Sequence, residues 1–253
     1  MASNVSATPA ATAPNGPASA TTAHQRAARE IYATHTHVDN EPCVRVYQAY
    51  NEKIATAAAA ANSFVAPKTE GTWSAARISW VKPSAAWMAY RCGWTTCKDE
   101  NQAHVLALDL DQKAFEAVLM EAVVTHNGAD VVPGAIKQAP VRVQWDPERE
   151  LDPTCPDEVA RGKPKGNPFL RQVEGVRSLQ VGIKETERVL CNPLVVRRIT
   201  DVTPAFREAH AALARGDLSA AEAALWPDAA MRERQMDVPM QLRAVLNMDE
   251  REQ

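Results

Sequence analysis

The sequence predicts a mixed α+β domain, a single sheet flanked by helices, behind a disordered N-terminal tail. Three observations carry that prediction. Short alternating strand patterns interleave with helical ones from Ala28 onward. A hydrophobic share of 45% over 253 residues is enough for a full-sized core in one or two domains. Residues Met1 to Ala27 are dominated by Ala, Ser, Thr, Pro, Asn and Gly, with Arg26 as their only full charge. They cannot bury enough surface to offset the entropy of ordering, so the tail is expected to be disordered and residues 28–253 to form one domain.

The elements follow in order. Val44 to Tyr50 alternates, Arg45 and Tyr47 on one face and Val44, Val46 and Gln48 on the other, as a half-buried strand does. Asn51 caps a helix carrying Ile54, Ala57, Ala58 and Ala61 as a narrow apolar stripe. Arg77 to Lys82 reads as a strand stopped by Pro83, and Ser84 to Cys92 as a short helix ended by Gly93. His104 to Leu110 is nearly all apolar, the mark of a strand covered on both faces. Asp111 caps a helix expected to run through His126 to a stop at Asn127-Gly128, with Asp109 as a second capping group. Val141 to Trp145, Arg177 to Ile183 and Val195 to Val202 read as strands. The stretch from Asp146 to Pro168, with Pro147, Pro153, Pro156, Pro164 and Pro168, reads as a surface loop. From about residue 203 the chain turns helical: Thr203-Pro204 opens one helix, Gly216 closes it, and Asp217 caps another that ends before Pro227. Strand order is not encoded in such patterns.

Lys and Arg number 28 against 31 Asp and Glu, a formal charge of -3. That balance excludes a basic nucleic-acid coat protein or a polybasic membrane binder as a description of the whole chain. No run approaches the roughly 20 apolar residues that span a bilayer, and no secretory signal opens the chain, so a cytoplasmic protein without membrane contact is expected. Five scattered cysteines, an odd number, fit free thiols in a reducing compartment. Cys92 and Cys97 lie near His104, but a fourth zinc ligand at motif spacing is missing, and no metal site is expected.

Most of the chemical content lies between Gly71 and Lys98. This segment holds Trp73, Trp80, Trp87 and Trp94 at seven-residue spacing, together with Arg77, Lys82, Arg91 and Lys98, and no acid. Pro83 and Gly93 interrupt any continuous helix, which removes a coiled-coil reading. Trp87, Arg91 and Trp94 stand at i, i+4 and i+7 and are expected to share a face. An arginine between two indoles is either a structural stack or an anion holder beside an aromatic wall. Lys82 before a helix start at Ser84 places an ammonium beside free backbone N–H groups, an arrangement suited to phosphate; the bland alternative is simple capping with a solvated lysine. Arg45 and Arg177 punctuate strand patterns and either face a ligand or pair with acids such as Asp146, Glu148 or Asp201. Dinucleotide, P-loop, zincin and hydrolase-elbow motifs are all missing, and His104 and His126 read as packed or capping histidines.

The phrases VRVYQAY, WVKPSAAWMAYRCGW, VLALDL, VRVQWDPER, RSLQVGI, RRITDVT and the closing RQMDVPMQLRAVLNM stand in the order and spacing of one family. On these motifs the chain resembles domain of unknown function family 4291 from Arg29 to Asp249. The resemblance implies a compact single domain and marks Arg45, Tyr47, Gln48, Lys82, Pro83, Trp87, Tyr90, Arg91, Gly93, Trp94, Gln144, Trp145, Asp146, Arg149, Arg177 and Gln180 as its motif positions. It brings no catalytic residue and no cofactor.

The leading expectation is an anion pocket for a phosphate-bearing small molecule or nucleotide, built from Arg45, Lys82, Ser84, Arg91 and Arg177 with Trp87 or Trp94 as aromatic wall. Transfer or hydrolysis at a nucleotide is the natural chemistry of such a pocket, with a fold like that of NAD-dependent ADP-ribosyltransferases as a special case. The alternative is a non-enzymatic module for single-stranded nucleic acid, which the net charge disfavours, or for another protein.

Overall fold

In the computed structural model, which describes residues 29–96, 98–125, 134–155 and 168–249, the chain runs from a short strand β1 (Tyr32–Ala33) into β2 (His35–Val38) and β3 (Glu41–Tyr50). Helices α1 (Glu52–Ala61) and α2 (Val65–Thr69) lead to β4 (Ser79–Val81) and α3 (Ala85–Cys92). Then come β5 (His104–Asp111), α4 (Gln112–Met120), β6 (Ala122–Val124), α5 (Ala135–Gln138), β7 (Val141–Leu151) and β8 (Leu170–Ile183). The chain closes through α6 (Thr186–Leu190), β9 (Val196–Asp201), α7 (Thr203–Ala214), α8 (Leu218–Leu225), β10 (Arg234–Gln235) and α9 (Met240–Val245). The expected tail, His126 and the Asn127-Gly128 stop lie outside the described residues.

The architecture is mixed α+β, but its strands divide between two four-stranded sheets where one sheet was expected. The orders are β2-β3-β5-β9 and β4-β8-β7-β6, and β1 and β10 pair as a separate ribbon. All pairings are antiparallel except that of β6 with β7. An isolated bridge connects the sheets, Tyr47 N donating to Lys82 O at 2.7 Å and Lys82 N to Tyr47 O at 3.1 Å.

Period-two alternation decides which face each side chain joins. Val44, Val46, Leu106, Leu108 and Leu110 of the first sheet share one core with Val81, Val141, Val143, Leu179, Val181 and Ile183 of the second. Helices α1 and α4 close this core with Ile54, Ala58, Phe115 and Leu119. The opposite face of the first sheet carries Tyr47, Val105 and Ala107, which pack under α3 and α7 in a second cluster with Met88, Trp94 and Phe206. β5 is covered on both faces, as its apolar run requires.

The capping residues act as their chemistry dictates. Asn51, Ser84, Asp111 and Asp217 each accept a backbone N–H of the first turn of their helix, and Gly93 ends α3 in the left-handed region at φ 60°.

Several boundaries differ from expectation. Helix α4 stops at Met120, because Val123 and Val124 pair beside Arg142 and Val143 of β7; β-branched residues gain more at a sheet edge than in a last helical turn. Asp146 to Leu151 continue β7 rather than forming a loop. Pro147 is tolerated because the register with β8 shifts between Pro147 and Arg149, where no ladder N–H is needed. In α1 the buried residues are Ile54, Ala55 and Ala58, while Ala61 is exposed, and β4 spans only Ser79–Val81 of the expected strand.

Candidate functional site

A cavity of about 840 Å³ opens where the end of β3, β4, α3 and the polar faces of β7 and β8 meet. Its position follows from strand alternation. Val81 packs in the core, so its neighbours Trp80 and Lys82 face the other way. On the strands beside them Gln180 lies directly opposite Gln144, and both turn toward the same side as Trp80.

Lys82 is the central group. It is 4% exposed, lines the cavity, and makes no side-chain hydrogen bond or ion pair with any described residue. Its Nζ stands 4.9 Å from the centroid of the Trp87 ring, one turn into α3. Burial, then the nearby Arg91 charge, pull its pKa from 10.5 down to about 7, against a smaller upward pull from Asp146. An unpaired buried ammonium is costly to a fold.

Two other cations line the same space. Arg91 sits one turn after Met88 on the cavity side of α3 and donates through Nη1 to Gln102 Oε1 at 2.7 Å, a neutral partner that leaves its charge uncancelled. Arg77 is exposed at the mouth, without a hydrogen bond or ion pair among the described residues. Among the described residues the one acid in the lining is Asp99, which accepts from Asn101 N and from Gln102 Nε2. Arg77, Arg91 and Lys82, when protonated, stand against that carboxylate, so the lining carries net positive charge.

Amides and indoles complete the walls. Gln180 Nε2 donates to Gln144 Oε1 and to Asp146 Oδ2, each at 2.9 Å. Gln48 donates to Trp80 O and accepts from the Tyr50 hydroxyl, whose pKa burial lifts to about 12. The aromatic residues of the lining are Tyr50, Trp73 and Trp80. Trp80 lies over Gly182, where a Cβ would stand 2.8 to 2.9 Å from three ring carbons. Gly182→Ala therefore has to push the indole into the cavity; a loss of roughly 1–3 kcal/mol and a shifted tryptophan emission maximum are expected in chemical denaturation followed by fluorescence.

The sequence-predicted residues separate cleanly. Lys82 and Arg91 share the cavity, with Trp87 beneath the lysine. Arg45 does not reach it: it lies on the other face of β3, where its Nε and Nη2 bind the Asp109 carboxylate at 2.8 and 3.1 Å. Asp109 also accepts from Arg198 Nε at 2.8 Å, so it is an ion-pair centre rather than a helix cap. Arg177 lies opposite Pro147, outside the cavity lining, and has a partner of its own. Ser84 caps α3 but faces the protein's own acids: its hydroxyl donates to Glu148 Oε1 at 2.9 Å, and Ala85 N donates to Glu233 Oε1 at 2.7 Å. The helix start expected to hold a ligand anion is thus occupied by two buried carboxylates.

Trp94 is no wall. Gly93, Trp94 and Thr95 have φ of 60°, 54° and 68°, a left-handed turn that takes Trp94 off the face of Trp87 and Arg91. The indole is fully buried, stacks on His210 at 5.6 Å and donates to Pro168 O at 2.9 Å. His104 packs with Asp201, Nδ1 to Oδ2 at 3.2 Å.

Arg77, Trp73, Trp80 and the glutamines were not expected in the site. For Trp80 the signal was available, since it lies two residues before Lys82 on one strand. Cys92 is buried and its thiol pushed up to about 11 by burial, while Cys97 lies outside the described residues. Among the described residues no His, Cys, Asp and Glu cluster could hold a metal ion, and no helix is long and apolar enough to cross a membrane.

No curated protein and no solved structure matches the chain. The family model described as Domain of unknown function (DUF4291) matches residues 31–232, which include every side chain named at the cavity, and the chain belongs to that family.

Proposed function

We propose that the cavity binds a phosphate-bearing small molecule, with a nucleotide as the class that fits its walls best. The observation that carries this reading is the buried Lys82 ammonium, aimed into a cavity beside Arg91 and Arg77 without a carboxylate bonded to it. A phosphate supplies the missing counter-charge and several acceptors at once. The half-buried Trp80 offers an apolar face for a planar ring, with an edge of Trp73 beside it, and the Gln144 and Gln180 amides offer polar edges to read it. Transfer or hydrolysis at the bound nucleotide is the chemistry that would follow.

The nucleic-acid reading draws less support. Of the basic and aromatic residues between Trp73 and Lys98, Trp73, Trp87 and Trp94 are buried, and Lys98 Nζ donates to the carbonyls of Tyr90 and Arg91. They do not present the continuous stacking strip that a single strand requires.

Titration calorimetry against ATP, GTP, NAD, cyclic nucleotides and pyrophosphate tests the proposal. At least one phosphate compound is expected to bind, with an affinity about tenfold or more lower in Arg91→Ala. Absence of heat across the whole panel overturns it.

A further inference from the structure

The same lysine that suits an anion is also placed for covalent chemistry. An amine attacks a carbonyl only when it is deprotonated, reachable and not tied up by a hydrogen bond. Lys82 Nζ lines the cavity yet is almost wholly out of water, and neither carboxylate nor carbonyl bonds to it among the described residues. Its neighbours are arranged the same way. The Trp87 ring bars one side, and Arg91 repels a proton on the amine while remaining available for a ligand anion. The other polar groups facing it are Asp146 from β7 and Cys92 from α3, and Asp146 already accepts from Gln180.

We propose that the Lys82 ε-amine is a nucleophile that condenses with the carbonyl carbon of a phosphate-bearing aldehyde or ketone held in the cavity. The inference rests on the anion pocket proposed above and narrows its ligand. A sugar phosphate in its open-chain form, or a nucleotide carrying a ring-opened sugar, belongs to both classes. The neutral amine donates its lone pair to the carbonyl carbon, forming a C–N bond as the C–O π bond breaks, and the two amine protons pass in turn to the carbonyl oxygen. Loss of that oxygen as water leaves an imine between Nζ and the former carbonyl carbon. Oxidation states are conserved and no further reactant is needed. Arg91 and Arg77 hold the phosphate, while the Trp73 and Trp80 rings exclude water from the imine. The pKa near 7 provides neutral amine at physiological pH, where an ordinary lysine at 10.5 is almost entirely protonated.

Pyridoxal 5′-phosphate is the probe, since it joins an aldehyde, a phosphate and a flat ring. The full chain is incubated with it, reduced with borohydride to convert any imine to a stable secondary amine, and mapped by peptide mass spectrometry. Trapping is expected at Lys82 about tenfold or more faster than at the other lysines, rising with pH through about 7 and slowed by pyrophosphate. Pyridoxal without phosphate is expected to label weakly. Lys82→Arg carries no amine of that kind and should abolish the specific label, with circular dichroism checking that it folds; phosphate binding is read separately, by calorimetry on the wild-type chain. Label spread evenly over surface lysines, with phosphate compounds still binding, overturns the nucleophile and leaves the pocket standing. Even label together with no phosphate binding overturns both.

Discussion

Lys82→Met is expected to stabilise the protein while removing its ligand binding. A lysine whose pKa falls from 10.5 to about 7 on folding carries a penalty on the order of 5 kcal/mol wherever both states are protonated. The Trp87 face returns about 1–2 kcal/mol of that. Methionine matches the length and volume of the side chain without its charge. A net gain of roughly 3 kcal/mol, or about 5–10 °C in Tm for a domain of this size, follows at pH 6. The sign reverses the usual lysine case. The folded value is the lower one, so between about 7 and 10.5 the unfolded chain binds more protons and wild-type stability rises with pH. The advantage of the variant should therefore shrink between pH 6 and pH 10. Scanning calorimetry at both pH values reads it; a Tm that falls at pH 6 would mean that the ammonium is well satisfied in the fold. Phosphate-compound affinity should drop about tenfold or more in the same variant, the signature of a group kept for function at a cost to the fold.

The opposite outcome is expected at Asp109. This carboxylate is 1% exposed and holds Arg45 in a two-point contact while also accepting from Arg198. Asp109→Asn leaves the Arg45 guanidinium buried against a neutral amide, and breaking a buried pair from one side costs about 3–5 kcal/mol. A Tm lower by about 10 °C or more is expected, with the cavity's ligand affinity unchanged at temperatures where the variant is folded. Burial alone would raise the Asp109 pKa, but the hydrogen bonds and charges of Arg45 and Arg198 outweigh it and hold the group below its ordinary 3.8. Its contribution is complete above the unfolded value and is lost as pH falls toward the folded one. Wild-type protein should accordingly lose stability more steeply than Asp109→Asn on acidification below about pH 4. Parallel slopes would remove Asp109 from the acid limb.

Local rules made most elements legible. Asn51, Ser84, Asp111 and Asp217 cap the helices that their side chains predict, and alternation placed Gln48 and Arg45 on opposite faces of β3. What alternation does not carry is pairing. That Asp109 lies opposite Arg45, and that Trp80 lies opposite Gly182, depends on registers between segments more than 60 residues apart. The division into two sheets was hidden for the same reason.

The site was half legible. Lys82 and Arg91 belong to one strand–turn–helix unit, within which spacing is informative. Arg45 and Arg177 belong to distant strands, and each was balanced by an acid or another partner that no local pattern announces. Trp94 was misplaced by conformation rather than by spacing. Helical geometry predicts a shared face with Trp87, but three consecutive residues beyond α3 adopt positive φ, Thr95 among them, which side-chain sterics disfavour.

The backbone of Lys82 is also the suture between the two sheets: a reciprocal pair of hydrogen bonds to Tyr47 is stitched by the residue whose side chain lines the cavity. Any molecule gripped at Nζ therefore tugs on that stitch, and the tension reaches β3 in one sheet and β4 in the other without passing through the hydrophobic interior. Occupancy should register as slowed amide exchange at Tyr47 and onward along β3 toward Arg45, on the sheet that does not carry Lys82.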